Sequence, residues 1–287
     1  MTEVLTLIVQ ISALAFVLSS MLAMGMSLTV PQIIAPLKNV KLVAIALAVN
    51  FVAIPLLVVG IQAVMDLDQD IYTGLLLMAT AAGAPFLPKL AQGAKGNIAF
   101  SVGLMVLLMV TTIIYMPIVL PLLIGEVDIN PWDIARSLIL AMLLPLGIGL
   151  LMNARWSDMA KGLQPHMAAA STYSIVLMLI GAIVLQWQQI VSLIGTGGLL
   201  AIMIFLLVAL VLGYFAGGAD PRTRSVMGLG TAQRNLSAAL VVGGMNFSST
   251  PNVLITVIAA GLIGLALLLP ISGELGRRAS SNTSDDN

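Results

Sequence analysis

Along this chain, long apolar runs alternate with short polar interruptions, and the runs have the length of helices that cross a bilayer. A spanning helix needs about 20 residues. On that basis the runs fall at about 5–27, 41–65, 71–95, 97–123, 134–154, 168–187, 192–216, 222–243 and 251–275. None has the alternating ~10-residue pattern of a membrane β-barrel strand. The pattern predicts an all-α, polytopic membrane protein of about nine transmembrane helices. It forms one transmembrane domain over 1–278, with 279–287 ("ASSNTSDDN") expected as a disordered cytoplasmic tail.

The polar interruptions carry a second pattern. With nine spans, Lys38, Lys41, Lys95, Arg155, Lys161, Arg222, Arg224, Arg277 and Arg278 all fall on one side, and Arg136 alone is basic on the other. Asp66, Asp68, Asp70, Glu126, Asp128 and Asp133 gather on that second side. The positive-inside rule then sets the N-terminus outside and the C-terminus in the cytoplasm of a cell (inner) membrane. Trp132, Trp156 and Trp187 lie near span ends, as interfacial anchors do. Residues 1–5 include Glu3 and no Lys or Arg, so the first run reads as a retained helix, not a cleaved signal.

Composition agrees: 60% hydrophobic residues, 8% charged and a mean hydropathy of +1.10 leave too little polar surface for a soluble globule. The lipid bilayer is thus one partner. Twelve basic and twelve acidic residues cancel, with no basic face for nucleic acid. There is no cysteine, which excludes disulfides and thiolate chemistry. The single histidine, His166, falls in an expected cytoplasmic loop, and no span carries paired acids, HExxH or GxSxG, so the chain is not read as an enzyme.

Two spans break their own pattern. In "IYTGLLLMATAAGAPFLPKLAQGAKGN", Ile71 to Asn97, Gly83, Pro85, Pro88 and Lys89 stand where apolar residues should continue. Proline removes a donor and clashes with the preceding turn, so the helix should break near 84–88, leaving a short half-helix over about 89–95. In "MGLGTAQRNLSAALVVGG", Met227 to Gly244, the run Thr231, Gln233, Arg234, Asn235 lies in mid-span. A basic residue at the centre of a membrane helix costs about 2.5–3.5 kcal/mol on insertion scales. Irregular backbone at that depth survives only where protein or a water-filled cavity satisfies it. The two broken spans run in opposite directions, the arrangement from which inverted-repeat transporters build midplane sites. Snorkelling of Lys89 toward Lys95 is the plain alternative for that residue; Arg234 has no such exit.

Read in order, "MGMSLT", "AVNFVAIP", "GAPFLPKLAQGAKGNIAFSVGL", "LLPLGIGLL" and "GTAQRNLSAAL" resemble the bile acid:sodium symporter family and its bacterial relatives. The resemblance implies two inverted five-helix repeats, a panel domain, and a core domain holding two crossed discontinuous helices, here without the first of ten helices. It also implies sodium positions that this chain has altered. The family's Ser-Asn pair in the first broken helix corresponds to Leu87 and Pro88. Its Ser and Thr in the next helix correspond to Ser101 and Met105, and its Glu and Gln in the second broken helix to Gly230 and Arg234. A further Gln corresponds to Asn50. Ser101 and Asn50 are the residual sodium-site candidates, and no other metal or cofactor is expected.

Sodium usually needs a carboxylate to offset its dehydration. A cation about 4 Å from Arg234 would be repelled by roughly 4 kcal/mol at an effective dielectric of 20. The expected function is therefore a secondary transporter of a small organic anion, alternating access around a midplane site without conventional sodium coupling. Alternatives are a sodium symporter with unusual ligands, or a channel or sensor on the same fold. The substrate-binding candidates are Lys89, Arg234, Asn235, Gln233, Thr231, Asn50, Thr111, Thr112 and Tyr115. The coupling ion is open: a buried Lys89 with a lowered pKa would allow a proton. Thr111 and Thr112 have the usual membrane-helix alternative of bonding to their own backbone.

Overall fold

The computed structural model describes residues 2–34, 38–125, 130–247 and 250–284. Among them helix is the one regular secondary structure, with no strand. In chain order the helices are α1 (Thr2–Ser27), α2 (Val30–Ile34), α3 (Val40–Met65), α4 (Gln69–Thr80), α5 (Leu87–Gly93), α6 (Ile98–Ile124), α7 (Pro131–Arg155), α8 (Ser157–Gly195), α9 (Gly198–Ala216), α10 (Pro221–Ala232), α11 (Leu236–Asn246) and α12 (Pro251–Ser284). Seven of the described helices are long and apolar enough to cross a membrane. The third and eighth expected spans each arrive as a pair of half-helices, α4 with α5 and α10 with α11.

Two departures from the expected boundaries have simple causes. Helix α8 begins at Ser157, eleven residues before the expected span at 168, and takes in His166 and Pro165. Its first turns are exposed and polar, so hydropathy alone does not announce them although they are helical. Helix α12 continues to Ser284, through the first residues of the expected tail, and 285–287 lie outside the described residues. Glu126 and Asp128 of the acidic side also lie outside them.

The helices form two groups. Helix α1 packs along α7 and α8. The approach to α7 is close because Gly25 and Gly149 present no side chain to each other's backbone. The remaining long helices surround α4, whose residues from Ile71 to Thr80 are all buried. A helix apolar on every side belongs inside a core, and α4 is the centre of this one. In α3 one wider i→i+5 turn spans Val49–Ala53 and brings Asn50 into the core. Such π-turns concentrate at functional positions.

The broken spans run antiparallel. The end of the first lies against the start of the second, where the Asn97 amide donates to the Arg222 carbonyl at 3.3 Å. At the opposite end, Asp68 and Gln69 border the same small recess as Asn252, just beyond α11. Lys95 hydrogen-bonds Ser280 at the first of these ends, so three of the basic segments grouped by sequence do meet at one end of the bundle.

Candidate functional site: the crossing of two broken helices

The first helix stops at Thr80 and the chain runs extended through Ala81 before α5 begins at Leu87. Gly83 takes φ +80°, and a Cβ there would collide with the Met109 amide and the Met105 carbonyl of α6. Glycine is required on both counts. Pro88 falls in the first turn of α5, where a missing N–H costs nothing. The break leaves carbonyls of Met78, Ala79, Ala81, Ala82 and Gly83 without helical partners, as helix C-termini do.

The second break is only three residues, Gln233 to Asn235, and it supplies the donors. The Asn235 amide N–H donates to the Ala81 carbonyl at 2.9 Å, and its side-chain Nδ2 to the Gly83 carbonyl at 3.0 Å and the Ala82 carbonyl at 3.4 Å. Its Oδ1 accepts from the Ala238 amide at 3.1 Å, capping α11. Arg234, 2% exposed, donates from Nε to the Met78 carbonyl at 2.9 Å and from Nη2 to the Ala79 carbonyl at 2.5 Å. Its Nη1 donates to Asn50 Oδ1 at 2.8 Å and to the Thr231 carbonyl at 3.2 Å. Asn50 is held by its own Nδ2, which donates to the Ala46 carbonyl at 3.0 Å and to Thr231 Oγ1 at 3.3 Å. Thr112 on α6 completes the knot: its hydroxyl accepts from the Ala82 amide at 2.9 Å and donates to the Ala82 carbonyl at 3.1 Å.

Beside the crossing lies a cavity of about 1050 Å³. It separates the α1/α8 wall from the core and runs toward the basic end, where Gln32, Ile98 and Gln164 border it. Much of the lining is apolar, including Phe16, Met24, Val102, Met105, Ile175 and Leu265. Facing this from the crossing are Gln233, Arg234, Ser237 and Lys89, and the opposite wall adds Ser20, Ser27, Ser171 and Thr172. Gln233 Oε1 and Ser237 Oγ are buried and have no hydrogen-bond partner among the described residues. The Ser237 residue is 1% exposed, and as the second residue of α11 it sits at a helix N-terminus, where free amides and the positive end of the helix dipole favour anions. Lys89 is exposed in the cavity, its Nζ 5.4 Å from the Phe86 ring centroid.

The sequence candidates thus separate. Lys89, Gln233 and Arg234 border the cavity, whereas Asn50, Thr112, Thr231 and Asn235 knit the crossing. Thr111 donates to its own helix at Leu107, 2.8 Å away, and Tyr115 donates to the Phe51 carbonyl released by the π-turn. Ser101 likewise bonds within α6, to the Ile98 carbonyl at 2.7 Å. Helix α5 turns the Lys89 side chain out of the core and into the cavity. Ser237 was not singled out by sequence, although its place three residues after Arg234, where the second half-helix starts, is the available signal.

Gly230, matched to the family's carboxylate, is part of α10 and packs tightly: a Cβ there would lie 2.9 Å from Leu87 Cδ2 and 3.3 Å from Leu104 Cδ2. The space beside it is filled with hydrocarbon. Among the described residues, no three acidic or histidine side chains cluster to hold a metal ion.

A helical membrane protein with two broken spans crossing at its centre is the class this architecture defines. The profile of the Sodium Bile acid symporter family matches residues 14–193, more than half of the chain, and the chain belongs to that family. The match takes in the first broken span. The chain is also similar to the chloroplastic "Probable sodium/metabolite cotransporter BASS3" of Arabidopsis thaliana, 26% identical over 196 residues, and to the protein of the same name in Oryza sativa subsp. japonica, 24% identical over 196 residues. Each alignment covers 68% of this chain and 46% of the relative, so the chain spans about half the length of the curated relatives it matches.

Proposed function

We propose that this chain is a secondary carrier of a small organic anion, bound in the cavity against the N-terminus of α11 and moved by rocking of α1, α7 and α8 against the core. The observation that carries this reading is Ser237 Oγ, a buried hydroxyl without a partner among the described residues, at the wall of a cavity that also receives the Lys89 ammonium. Leaving a buried polar atom unsatisfied costs about 1–3 kcal/mol. Such a cost is sustained where a ligand repays it. A carboxylate or similar head accepts from the Ser237 hydroxyl and from Lys89, and the apolar lining takes the organic body. The relatives' names speak of metabolite cotransport, which fits a small solute.

On this reading the N-terminus is outside, the C-terminus is cytoplasmic, and the cavity opens to the cytoplasm of a cell membrane. Conventional sodium coupling is not part of it. Leu87 and Leu104 occupy the space beside Gly230, and Arg234 already brings a positive charge to the crossing.

Thermal unfolding of the purified protein in detergent tests both halves, because a ligand that binds only the folded form must raise its midpoint. A panel of carboxylates, hydroxy and keto acids, sulfonates and sterol acids is titrated against wild type, Ser237→Ala and Lys89→Gln. Anions that raise the wild-type midpoint should bind about tenfold more weakly to Ser237→Ala, the loss of one charge-assisted hydrogen bond. The same anions should then exchange across proteoliposomes. A panel without a single stabilising anion, or a midpoint raised by sodium over potassium and choline at constant ionic strength, would remove the reading.

A further inference from the structure

Arg234 is a buried charge with no opposite charge to meet it among the described residues. The ion pairs among the described residues join Lys161 to Asp158 and Arg277 and Arg278 to Glu274, all on exposed helix surface. The guanidinium is instead surrounded by neutral oxygens: the carbonyls of Met78, Ala79 and Thr231 and the side-chain oxygen of Asn50. Three of these are end-of-helix carbonyls, two from α4 and one from α10, where the negative ends of two helix dipoles converge. One cation among several neutral oxygens, with the carbonyl ends of helices supplying the balancing potential, is the electrostatic pattern of a site for a free monovalent cation.

We infer that the Arg234 side chain occupies a monovalent-cation pocket as a tethered ligand, and that shortening it opens a site for guanidinium and, more weakly, for alkali cations. The pocket is defined by oxygens that do not come from Arg234's own side chain, so it persists when that side chain is removed. Its charge requirement persists too. Without a cation, three carbonyls and the Asn50 oxygen face one another in a water-poor core, and two helix ends lose their counter-charge. Guanidinium restores the donors and the lost volume together; sodium or potassium restores only the charge. Large cations such as choline restore neither, because they have no N–H to offer and exceed the vacated space.

The inference differs from the carrier reading in what it needs: it concerns the crossing, not the cavity, and its readout is stability rather than anion binding or flux. Arg234→Gly is purified in choline chloride and its unfolding midpoint followed as choline is exchanged for guanidinium, sodium or potassium at constant ionic strength and at millimolar levels far below denaturing ones. The expected result is a saturable rise of about 5 °C with guanidinium, a smaller one with an alkali cation, and none in the wild type. Arg234→Gln, which keeps an amide in the pocket but no charge, serves where the glycine variant does not fold, and the same order of cations is expected. A variant that folds in choline and answers to no cation overturns the inference, as does a wild type that responds in step with the variants. Failure of both variants to fold with every cation supplied overturns it as well.

Discussion

The two broken spans solve one problem in opposite ways. The first break is built from backbone: Gly83 bends it, Pro85 and Pro88 keep it from rewinding, and its product is a row of free carbonyls. The second is built from side chains: Arg234 and Asn235 interrupt α10 for three residues and return donors to that row. One break is an acceptor surface and the other a donor surface. Neither is stable alone at membrane depth, since unsatisfied backbone there has no water to turn to. The crossing is therefore a mutual requirement, and the cavity is the space left beside it.

The comparison predicts where substitution hurts most. Gly83→Ala should be the most damaging single-atom change, because it combines a positive φ, worth about 1–3 kcal/mol of strain, with overpacking against α6 of similar size. A loss near 4 kcal/mol, read as a collapse of the unfolding midpoint or of folded yield, is expected. A variant with near-wild-type stability would mean the first break tolerates an ordinary residue and is not backbone-limited.

Asn235→Ala comes next. It removes the cap on Ala238 and the donors to the Ala82 and Gly83 carbonyls, while the residue 235 amide keeps its bond to Ala81. The sum of a lost cap and one orphaned buried acceptor is about 3 kcal/mol. Amide exchange should quicken at the start of α11 and around Gly83 together. Faster exchange in α11 alone would show that the two breaks are not coupled through this side chain.

Much of this was legible beforehand, and the pattern of misses follows from what a sequence can carry. Prolines and glycines mark the first break, and a polar run marks the second, because both violate the apolar periodicity around them. The carbonyls that receive Arg234 carry no such mark, since every residue owns one. The setting of Lys89 carries no mark for a related reason: which side of a seven-residue half-helix faces a cavity depends on α1 and α8, far away in sequence. Ser237 passed unnoticed because serine in a membrane helix ordinarily bonds its own backbone. At the first turn of α11 its hydroxyl does not.

The adjacent threonines of α6 sharpen the comparison at smaller scale. Thr112 holds both backbone groups of Ala82, and Thr111 only its own helix. Thr112→Val should cost about 2 kcal/mol, the Ala82 amide losing its acceptor in the core. Thr111→Val should stay within about 0.5 kcal/mol. Equal effects on the unfolding midpoint would place the support of the first break somewhere other than Thr112.

The smallest difference lies at the outer ends of the two spans. Asp68 precedes α4 without a side-chain cap, whereas Asp220 precedes α10 and accepts from the Arg222 amide at 3.3 Å, the Thr223 amide at 3.0 Å and the Thr223 hydroxyl at 2.6 Å. These bonds, the Thr223 hydroxyl foremost, hold the Asp220 carboxyl below its usual range against the opposing effect of burial. A depressed folded-state pKa stabilises above the unfolded value, near 3.9, and that contribution disappears as pH falls through the folded value. Asp220→Asn keeps a capping side chain but not the charge, so at neutral pH it should cost about 0.5 kcal/mol or less, screened by its exposure. The midpoints of wild type and variant should converge as pH drops below about 4. Asp68→Asn, with no cap to lose, should leave the midpoint at neutral pH unchanged; a loss equal to that at Asp220 would mean that charge near a helix start, and not the capping geometry, sets the difference.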